Sequence, residues 1–406
     1  MQQVYAEALQ AYESADHPTF LARMLQADSL RPNHPTILYN LAAAYSLNGQ
    51  SAEAIYVLER SIWQNGEVDF EADEDFVSLR ERPSYQELVA FAQDYRAEVR
   101  NSQLAFELED AGFHPEGVAV DPASGDFFLG SVRHRNIIRY HSDGSQSSFC
   151  DDPRLWSVMG LQVDSKRGLL WATTVPAPQM IGYQDSLANR SALVGMDLVS
   201  GEVLHYYELE AEGAWLGDLA LAADGTIYCS SSSAPHPAIY RLRPSAGELE
   251  EFIHLEALVS LQGLCLGPQE KQLYFSDYRY GLFSLELASQ EVYPLENSTP
   301  HPLKGIDGLY YYNGQLIGLH NGLRPFQLTA YELSREGKTI ISFAYLDKAL
   351  AEMGEPTLGV ITADEFYYLA NSPWGAYDRE GNFLEDRAKA PLVFKLNLAE
   401  IFNAGE

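Results

Sequence analysis

Basic residues are scarce in this chain: 27 lysines and arginines stand against 57 aspartates and glutamates, which gives a formal net charge of −30. A protein that binds nucleic acid needs a basic surface to neutralise phosphates, so this balance argues against a nucleic-acid partner. The same balance disfavours docking on anionic lipid. No stretch approaches the roughly 18 consecutive apolar residues of a membrane span, so we expect no insertion into a membrane.

Cysteine is equally rare, with three examples at Cys150, Cys229 and Cys265. An odd number without Cys-x-x-Cys spacing excludes a disulfide framework and a thiolate zinc site. All three have apolar neighbours, which indicates core packing. A basic segment followed by an apolar stretch is missing at the start, so we expect no signal peptide in the sequence as written. The compartment stays open: cytoplasmic, or periplasmic or exported if a leader has been removed.

What the sequence does contain is enough apolar material for a large fold. Its 406 residues are 46% hydrophobic and 21% charged, values typical of globular proteins. This length fits two domains or one large repeat array better than one ordinary core. Two kinds of repeat divide the chain at about residue 100.

The first hundred residues repeat with a 34-residue offset. Residues 1–34 align with 35–68, so that Ala8 matches Ala42 and Met24 matches Leu58. This period resembles tetratricopeptide helix hairpins, in which small residues let paired helices approach. The second unit carries the pattern best, at Leu38, Leu41, Ala42, Tyr45, Gly49, Ala54 and Leu58.

A further apolar segment predicts a capping helix pair, with Pro83 at a helix start. Its periodic residues are Phe76, Leu79, Tyr85, Leu88 and Phe91. Two and a half repeats hardly form a long peptide-binding groove. The module either packs against the next domain or binds a protein partner, and the sequence favours packing.

From residue 103 onward, short alternating strands are separated by Gly-containing turns, and six segments share one pattern. The segments begin at Glu116, Met159, Asp218, Gln262, Asp307 and Leu358. Their average spacing of about 48 residues is typical of four-stranded propeller blades. We therefore predict an α+β multidomain chain, with tetratricopeptide-like hairpins over residues 1–100 and an all-β six-bladed propeller over 103–400.

The end of the chain predicts how the ring closes. The last blade reaches its third strand at residues 392–398, while the strand-like residues 104–108 precede the first blade without a partner. An open edge would invite aggregation. We expect residues 104–108 to supply the missing fourth strand of the final blade.

The first strand of each blade lines the channel of a propeller, so the six starting residues should meet at one mouth. Glu116, Asp218, Gln262 and Asp307 would then bring oxygen ligands together, while Met159 and Leu358 are apolar. Converging carboxylates repel one another and are costly to bury. A hard cation removes that cost, and oxygen ligands favour Ca²⁺ over Zn²⁺. Hydrated acids at the channel mouth are the alternative interpretation.

The second strand of each blade returns to the same mouth. This places polar and aromatic side chains around the predicted site, a composition typical of a small-molecule pocket. The candidate substrate-binding residues are Arg133, His320, Asn321, Asn371 and Trp374.

Four segments carry a resemblance to a known family: HPEGVAVDP, LGDLALAADGTIY, LQGLCLGPQEKQLYFSD and GIDGLYYYNGQL. They resemble blades of the senescence-marker-protein/gluconolactonase/regucalcin group of six-bladed propellers, whose wider relatives include paraoxonases and strictosidine synthases. The resemblance covers about residues 103–398. Similar strand starts also occur in propellers without catalysis.

The resemblance implies roles for particular residues. Glu116 matches the metal-binding glutamate of the first blade, and Asp307 matches an aspartate that binds metal and is the proposed base. Gln262 stands in place of an asparagine ligand. Asp218 matches the second half of an Asn-Asp pair whose asparagine is replaced here by Gly217. These departures put the substrate contacts in doubt.

Two functions follow from the sequence. The first is a Ca²⁺-dependent hydrolase that acts on a lactone or small ester, with Asp307 as the catalytic residue and Glu116, Asp218, Gln262 and Asp307 as metal ligands. The second is a non-catalytic scaffold that binds a ligand or protein, which the fusion to helical repeats favours by analogy.

Overall fold

The computed structural model describes residues 1–232 and 236–403. It divides into two compact units. The first comprises Met1–Glu98 with Leu323–Pro325, and the second comprises Val99–Gly322 with Phe326–Glu406. Within the described ranges, no helix has both the length and the apolar character needed to cross a membrane.

The first unit is helical. Its elements are α1 (Gln2–Glu13), α2 (His17–Leu30), α3 (Pro35–Leu47), α4 (Ser51–Gln64), a 3₁₀ segment (Glu74–Leu79) and α5 (Pro83–Arg96). The structure thus confirms that helices precede the strands. The Asp16 side chain caps α2 by accepting a hydrogen bond from the Thr19 backbone N–H at 3.2 Å.

Small buried residues bring α3 and α4 together. Ala42 and Ala54 are fully buried, and Leu58 fills the space beside them. Gly49 links the helices with φ of +73°, a left-handed conformation that favours glycine. The predicted capping helix pair is partly different: α5 does begin at Pro83, but its partner is only the six-residue 3₁₀ segment.

The second unit contains six antiparallel blades, the first four of which have four consecutive strands each. Blade one consists of Pro115–Val120, Phe127–Ser131, Ile137–Tyr140 and Gln146–Cys150. Blade two consists of Ser157–Asp164, Leu169–Val175, Arg190–Asp197 and Val203–Glu210. Blade three consists of Leu216–Leu221, Ile227–Ser231, Ala238–Leu242 and Glu250–His254.

The remaining blades follow the same order with additions. Blade four consists of Leu261–Leu266, Gln272–Asp277, Gly281–Glu286 and Val292–Pro294. Blade five consists of Ile306–Tyr312, Gln315–His320, Gln327–Leu333 and Thr339–Lys348, and Glu296–Asn297 pairs in parallel at its outer edge. Blade six contains Gly359–Thr362, Glu365–Leu369 and Leu392–Asn397. A short helix, Leu398–Asn403, follows it.

Ring closure occurs as predicted. Gln103–Glu107 forms the fourth strand of blade six and pairs antiparallel with Leu392–Asn397, so that Leu104 lies opposite Phe394. Phe106 from this strand packs with Phe127 of blade one at a ring distance of 5.0 Å. The strand that precedes the propeller therefore completes its last blade, and the six-bladed architecture is confirmed.

Candidate functional site at the propeller channel

A bulge shapes the inner strand, which is the first strand, of blades one to five. In each of them, three steps along the inner strand correspond to two along the second strand. In blade one, for example, Pro115 pairs with Ser131 and Val118 pairs with Leu129. Two residues therefore lie inside each bulge. The pairs are Glu116–Gly117, Met159–Gly160, Gly217–Asp218, Gln262–Gly263 and Asp307–Gly308.

Glycine fills the second bulge position in four of these blades because neighbouring inner strands nearly touch there. A Cβ atom on Gly117 would lie 2.1 Å from the Met159 carbonyl oxygen, and one on Gly263 would lie 2.4 Å from the Asp307 carbonyl oxygen. A side chain at this level needs a wider gap between blades. The first bulge position is free of this constraint and carries the varied side chains.

Blade three reverses the arrangement, and this corrects the sequence interpretation. Gly217 occupies the first position, level with Glu116 and Asp307, while Asp218 occupies the second. The Asp218 carboxylate accepts hydrogen bonds from the backbone N–H groups of Leu219 at 2.8 Å and Leu264 at 3.4 Å. It therefore lies in the gap between blades three and four, one residue deeper than the predicted ligand ring. Burial raises its pKa to about 7.

The inner strand of blade six has no bulge. At the channel mouth, a residue that the sequence analysis missed takes the place expected for Leu358. The pairing of Glu355 with Ser372 continues without a register shift to Gly359 and Tyr368. Leu358 is buried. Glu355, three residues earlier, acts electrostatically on both Glu116 and Asp307. The sequence signal was an acidic residue before Pro356, immediately ahead of the last inner strand.

Glu116 is held by residues from blade six. Its Oε2 accepts a hydrogen bond from the Trp374 indole N–H at 2.8 Å and one from the Ser372 hydroxyl at 3.4 Å. The Thr357 hydroxyl donates to its backbone carbonyl at 3.2 Å. Only 7% of Glu116 is exposed. Burial and the nearby charges of Asp307 and Glu355 raise its pKa well above the usual value.

Asp307 is oriented by the adjacent second strand of blade five. The Asn321 amide donates to its Oδ2 at 2.7 Å, and the Tyr278 hydroxyl donates to the Asn321 carbonyl oxygen at 2.9 Å. Burial, with a further contribution from Glu355, raises the pKa of Asp307 to about 7. Asn321, predicted to bind the substrate, thus contacts Asp307, a predicted metal ligand.

The other predicted residues take different positions. Gln262 is half-buried, and its amide donates to the Ser260 hydroxyl at 3.0 Å. Arg133 is half-buried, and its guanidinium lies over the Phe383 ring at 4.4 Å. Trp374 contacts Glu116 and packs against the buried cluster that contains Val132 and Met159. These three residues border the channel mouth.

Two predicted substrate contacts are corrected. His320 is fully buried, with Nε2 2.6 Å from the Tyr331 hydroxyl and Nδ1 3.2 Å from the Lys304 carbonyl. Asn371 uses both ends of its amide on the backbone, donating to Ala390 at 2.9 Å and accepting from Leu392 at 2.6 Å. Both side chains form hydrogen bonds within their own blades and thereby stabilise them.

A buried histidine stands behind Trp374. His114 is fully buried, its Nδ1 lies 2.9 Å from the Tyr377 hydroxyl, and its ring meets Trp374 edge to face at 4.5 Å. Its Nε2 has no hydrogen-bond partner among the described residues. Burial lowers the His114 pKa to about 3, so this imidazole is neutral.

The chemistry of the donors suits a hard divalent cation. The charge of Asp307 raises the proton affinity of Glu116, and Gln262 adds an amide oxygen donor at the same level of the inner strands. Over residues 1–232 and 236–403, no group of three or more His, Cys, Asp or Glu side chains is arranged to hold a metal. A calcium site built from two carboxylates, an amide oxygen and water contains only two Asp or Glu side chains. The residues Glu116, Asp307 and Gln262 fit a site of this composition.

Solved structures similar to this chain are propellers. They include a calcium-binding regucalcin from Agrobacterium tumefaciens, which is 16% identical over 72% of this chain and 93% of that chain with a TM-score of 0.50. A putative glucose dehydrogenase from Thermus thermophilus is 16% identical over 74% and 100%, with a TM-score of 0.50. A gluconolactonase from Xanthomonas campestris is 15% identical over 74% and 99%, with a TM-score of 0.49.

These similarities establish the fold. The neighbours include gluconolactonases and regucalcin, which are six-bladed propellers of the gluconolactonase-like kind. The dehydrogenase has the same fold with a different assigned activity, so the fold alone does not determine the reaction. No protein-family model matches the chain, and no curated protein matches its sequence.

Proposed function

We propose that the channel mouth is the active site of a Ca²⁺-dependent hydrolase that opens a lactone or cleaves a small ester. One observation carries this proposal: Glu116 of blade one is buried, Asp307 of blade five is partly buried, and the two are close enough for the Asp307 charge to raise the pKa of Glu116. Two neighbouring carboxylates that are shielded from water cost folding free energy unless a cation balances their charge. Such a pair is therefore typical of a functional site. Glu116, Asp307 and Gln262 would hold the ion.

The bound ion would polarise the carbonyl of the substrate and stabilise the developing oxyanion. Asp307 acts as the base, because its carboxylate lies beside the proposed ion, where the attacking water would be held. Asn321 donates to Oδ2 of Asp307, which leaves Oδ1 to receive the proton of the attacking water. The water oxygen bonds to the carbonyl carbon, the C–O ester bond breaks, and the leaving alkoxide takes up the proton that Asp307 received from the water. A lactone then gives a hydroxy acid, and a small ester gives an acid and an alcohol.

The surrounding residues position the substrate in this proposal. Trp374 fixes the Glu116 carboxylate through its indole N–H and forms an apolar wall beside it. Arg133, half-buried at the same mouth, supplies a cationic group toward a polar substrate. Asp218 is not assigned to the ion here, because the register places it one residue deeper.

The test is a calcium titration by calorimetry, together with hydrolysis of a panel of γ-lactones, δ-lactones and aryl esters in a pH-stat. The native protein should bind Ca²⁺ and hydrolyse a member of the panel only when calcium is present. Asp307→Asn should abolish turnover, whereas Asp185→Asn, at an exposed position, should leave turnover and binding unchanged. Unchanged hydrolysis in Asp307→Asn would show that the mechanism is wrong.

The second candidate is a non-catalytic scaffold. It is favoured by the helical unit that precedes the propeller in the same chain. Calcium binding without turnover of any panel member would support it. In this reading, α1–α4 are two tetratricopeptide-like hairpins that recruit a protein partner. The equivalent residues Ala8, Ala42, Met24 and Leu58 are all fully buried, which supports the hairpin repeat.

A further inference from the structure

A cavity, which we call the lower cavity, lies in the channel on the far side of the bulges from Glu116 and Asp307. It has a volume of about 200 Å³, well above what a single water molecule needs. Its walls come from the inner strands of all six blades, and the lining residues include Leu221, Leu266, Tyr311 and Ile361. Most of the residues that line it have apolar side chains, and polar atoms line it as well. The cavity therefore offers both apolar contacts and hydrogen-bonding groups to a small molecule.

One acidic side chain lines this cavity. Asp218 borders it because blade three places an aspartate where the other bulged blades have glycine. Its two oxygens accept only backbone N–H groups, from Leu219 and Leu264, and a carboxylate has acceptor capacity for about four hydrogen bonds. Across the described residues, no Lys, Arg or His side chain forms an ion pair with Asp218.

The electric field in the cavity favours a positive ligand. Asp307 adds negative potential from the bulge level above, and it contributes to the raised proton affinity of Asp218. The chain as a whole carries a formal charge of −30. Low-dielectric walls concentrate such a field inside a channel.

Aromatic rings beside the carboxylate favour the same class of ligand. Tyr310 and Tyr311 both line the cavity, and the Tyr310 hydroxyl accepts a hydrogen bond from the Gly359 N–H at 2.6 Å. Tyr310 lies close enough to Asp218 for the two to interact electrostatically. A cation at Asp218 would therefore also meet the face or edge of a tyrosine ring, an arrangement that binds ammonium groups.

We infer that the lower cavity is a binding site for a small primary ammonium ligand with an apolar tail. The ammonium group of the ligand contacts Asp218. The carboxylate accepts hydrogen bonds from the ammonium group, while the apolar residues of the lining contact the tail. This site is separate from the proposed hydrolase site, and neither depends on the other. Glu116 and Asp307 take no direct part in it.

The experiment is calorimetric titration at pH 8 with n-hexylammonium and, as a neutral ligand of matched size, 1-hexanol. Hexylammonium should bind once per chain and at least tenfold more tightly than hexanol. Asp218→Asn should reduce that preference to less than threefold, while Asp307→Asn should keep most of it. Ile361→Phe, which fills the cavity and leaves the carboxylate in place, should weaken both ligands.

Several results would overturn the inference. Equal affinities for hexylammonium and hexanol would show that Asp218 does not select a cation, and a preference retained in Asp218→Asn would place the ammonium elsewhere. Absence of binding by both ligands would exclude the cavity as a site. Circular dichroism and melting of each variant establish that it is folded. Loss of calcium binding in Asp307→Asn with hexylammonium binding intact would separate this site from the proposed hydrolase.

Discussion

Blades one and three build the same bulge in their inner strands and yet place their carboxylates in different environments. Blade one has Glu116 followed by Gly117, whereas blade three has Gly217 followed by Asp218. Glu116 therefore faces the channel mouth and Trp374, while Asp218 lies between two inner strands and borders the lower cavity. A shift of one residue along a strand moves an acidic group from one site to another.

The largest expected effect tests whether close contact between inner strands requires glycine at the second bulge position. Gly117→Ala places a Cβ atom 2.1 Å from a backbone carbonyl of blade two, and backbone cannot move aside cheaply. We expect a loss of at least about 3 kcal/mol of stability, at the upper end of what overpacking costs. Thermal and urea unfolding measure it.

Gly247→Ala is the matched control, because a Cβ atom there has nothing within 4 Å. Its effect should stay within about 0.5 kcal/mol. Equal stability of the two variants would contradict the view that direct contact between inner strands requires glycine.

The second prediction concerns pH and Asp218. The pKa of Asp218 is raised from 3.8 to about 7 in the folded state, so the unfolded chain releases this proton first as pH rises. Stability from this group is therefore present at low pH and is lost as pH rises toward 7. Asp218→Asn, which does not titrate, should gain about 3 kcal/mol relative to the native chain between pH 5 and pH 8.

Melting temperatures of the two proteins across that range provide the measurement. A stability difference independent of pH would mean that Asp218 is ionised throughout and is not buried as described. The prediction concerns how the stability difference between the two proteins changes with pH. Any effect of the amide on stability that does not depend on pH therefore cancels.

The blade comparison also shows what sequence can and cannot predict. The period of about 48 residues was enough to give six blades, and the unpaired strand at residues 104–108 was enough to give closure. The bulge was not visible, because an alignment on acidic residues matches Asp218 with Glu116 and hides the inserted residue. Strand pairing supplies the missing register.

The same limit explains the remaining errors. Of the neighbours His320 and Asn321, Asn321 contacts Asp307, and His320 points into the blade. Which of two adjacent residues faces the channel depends on the strand register, and the amino-acid composition does not determine that register. Glu355 was missed because blade six has no bulge and reaches the mouth from an earlier residue.

A smaller effect is expected at Trp374. Its hydrogen bond favours the ionised form of Glu116, so Trp374→Phe should raise the Glu116 pKa further and let protons compete with calcium. Calcium affinity should fall by about threefold to tenfold at pH 7, the size expected for one hydrogen bond of ordinary strength, and should fall less at pH 9. Calorimetry at both pH values measures this change.

Trp171→Phe serves as the control, since the Trp171 indole nitrogen has no hydrogen-bond partner among the described residues. Its calcium affinity should match that of the native chain at both pH values. An equal loss in both variants would point to packing of the indole instead of its N–H group.

The most direct test of the central claim compares calcium binding in two variants that each remove one buried carboxylate charge. If Glu116 and Asp307 share an ion at the mouth, Asp307→Asn should weaken calcium binding at least tenfold, whereas Asp218→Asn should change it by less than threefold. The reverse order, or equal losses in both, would contradict the assignment of the two carboxylates to separate sites.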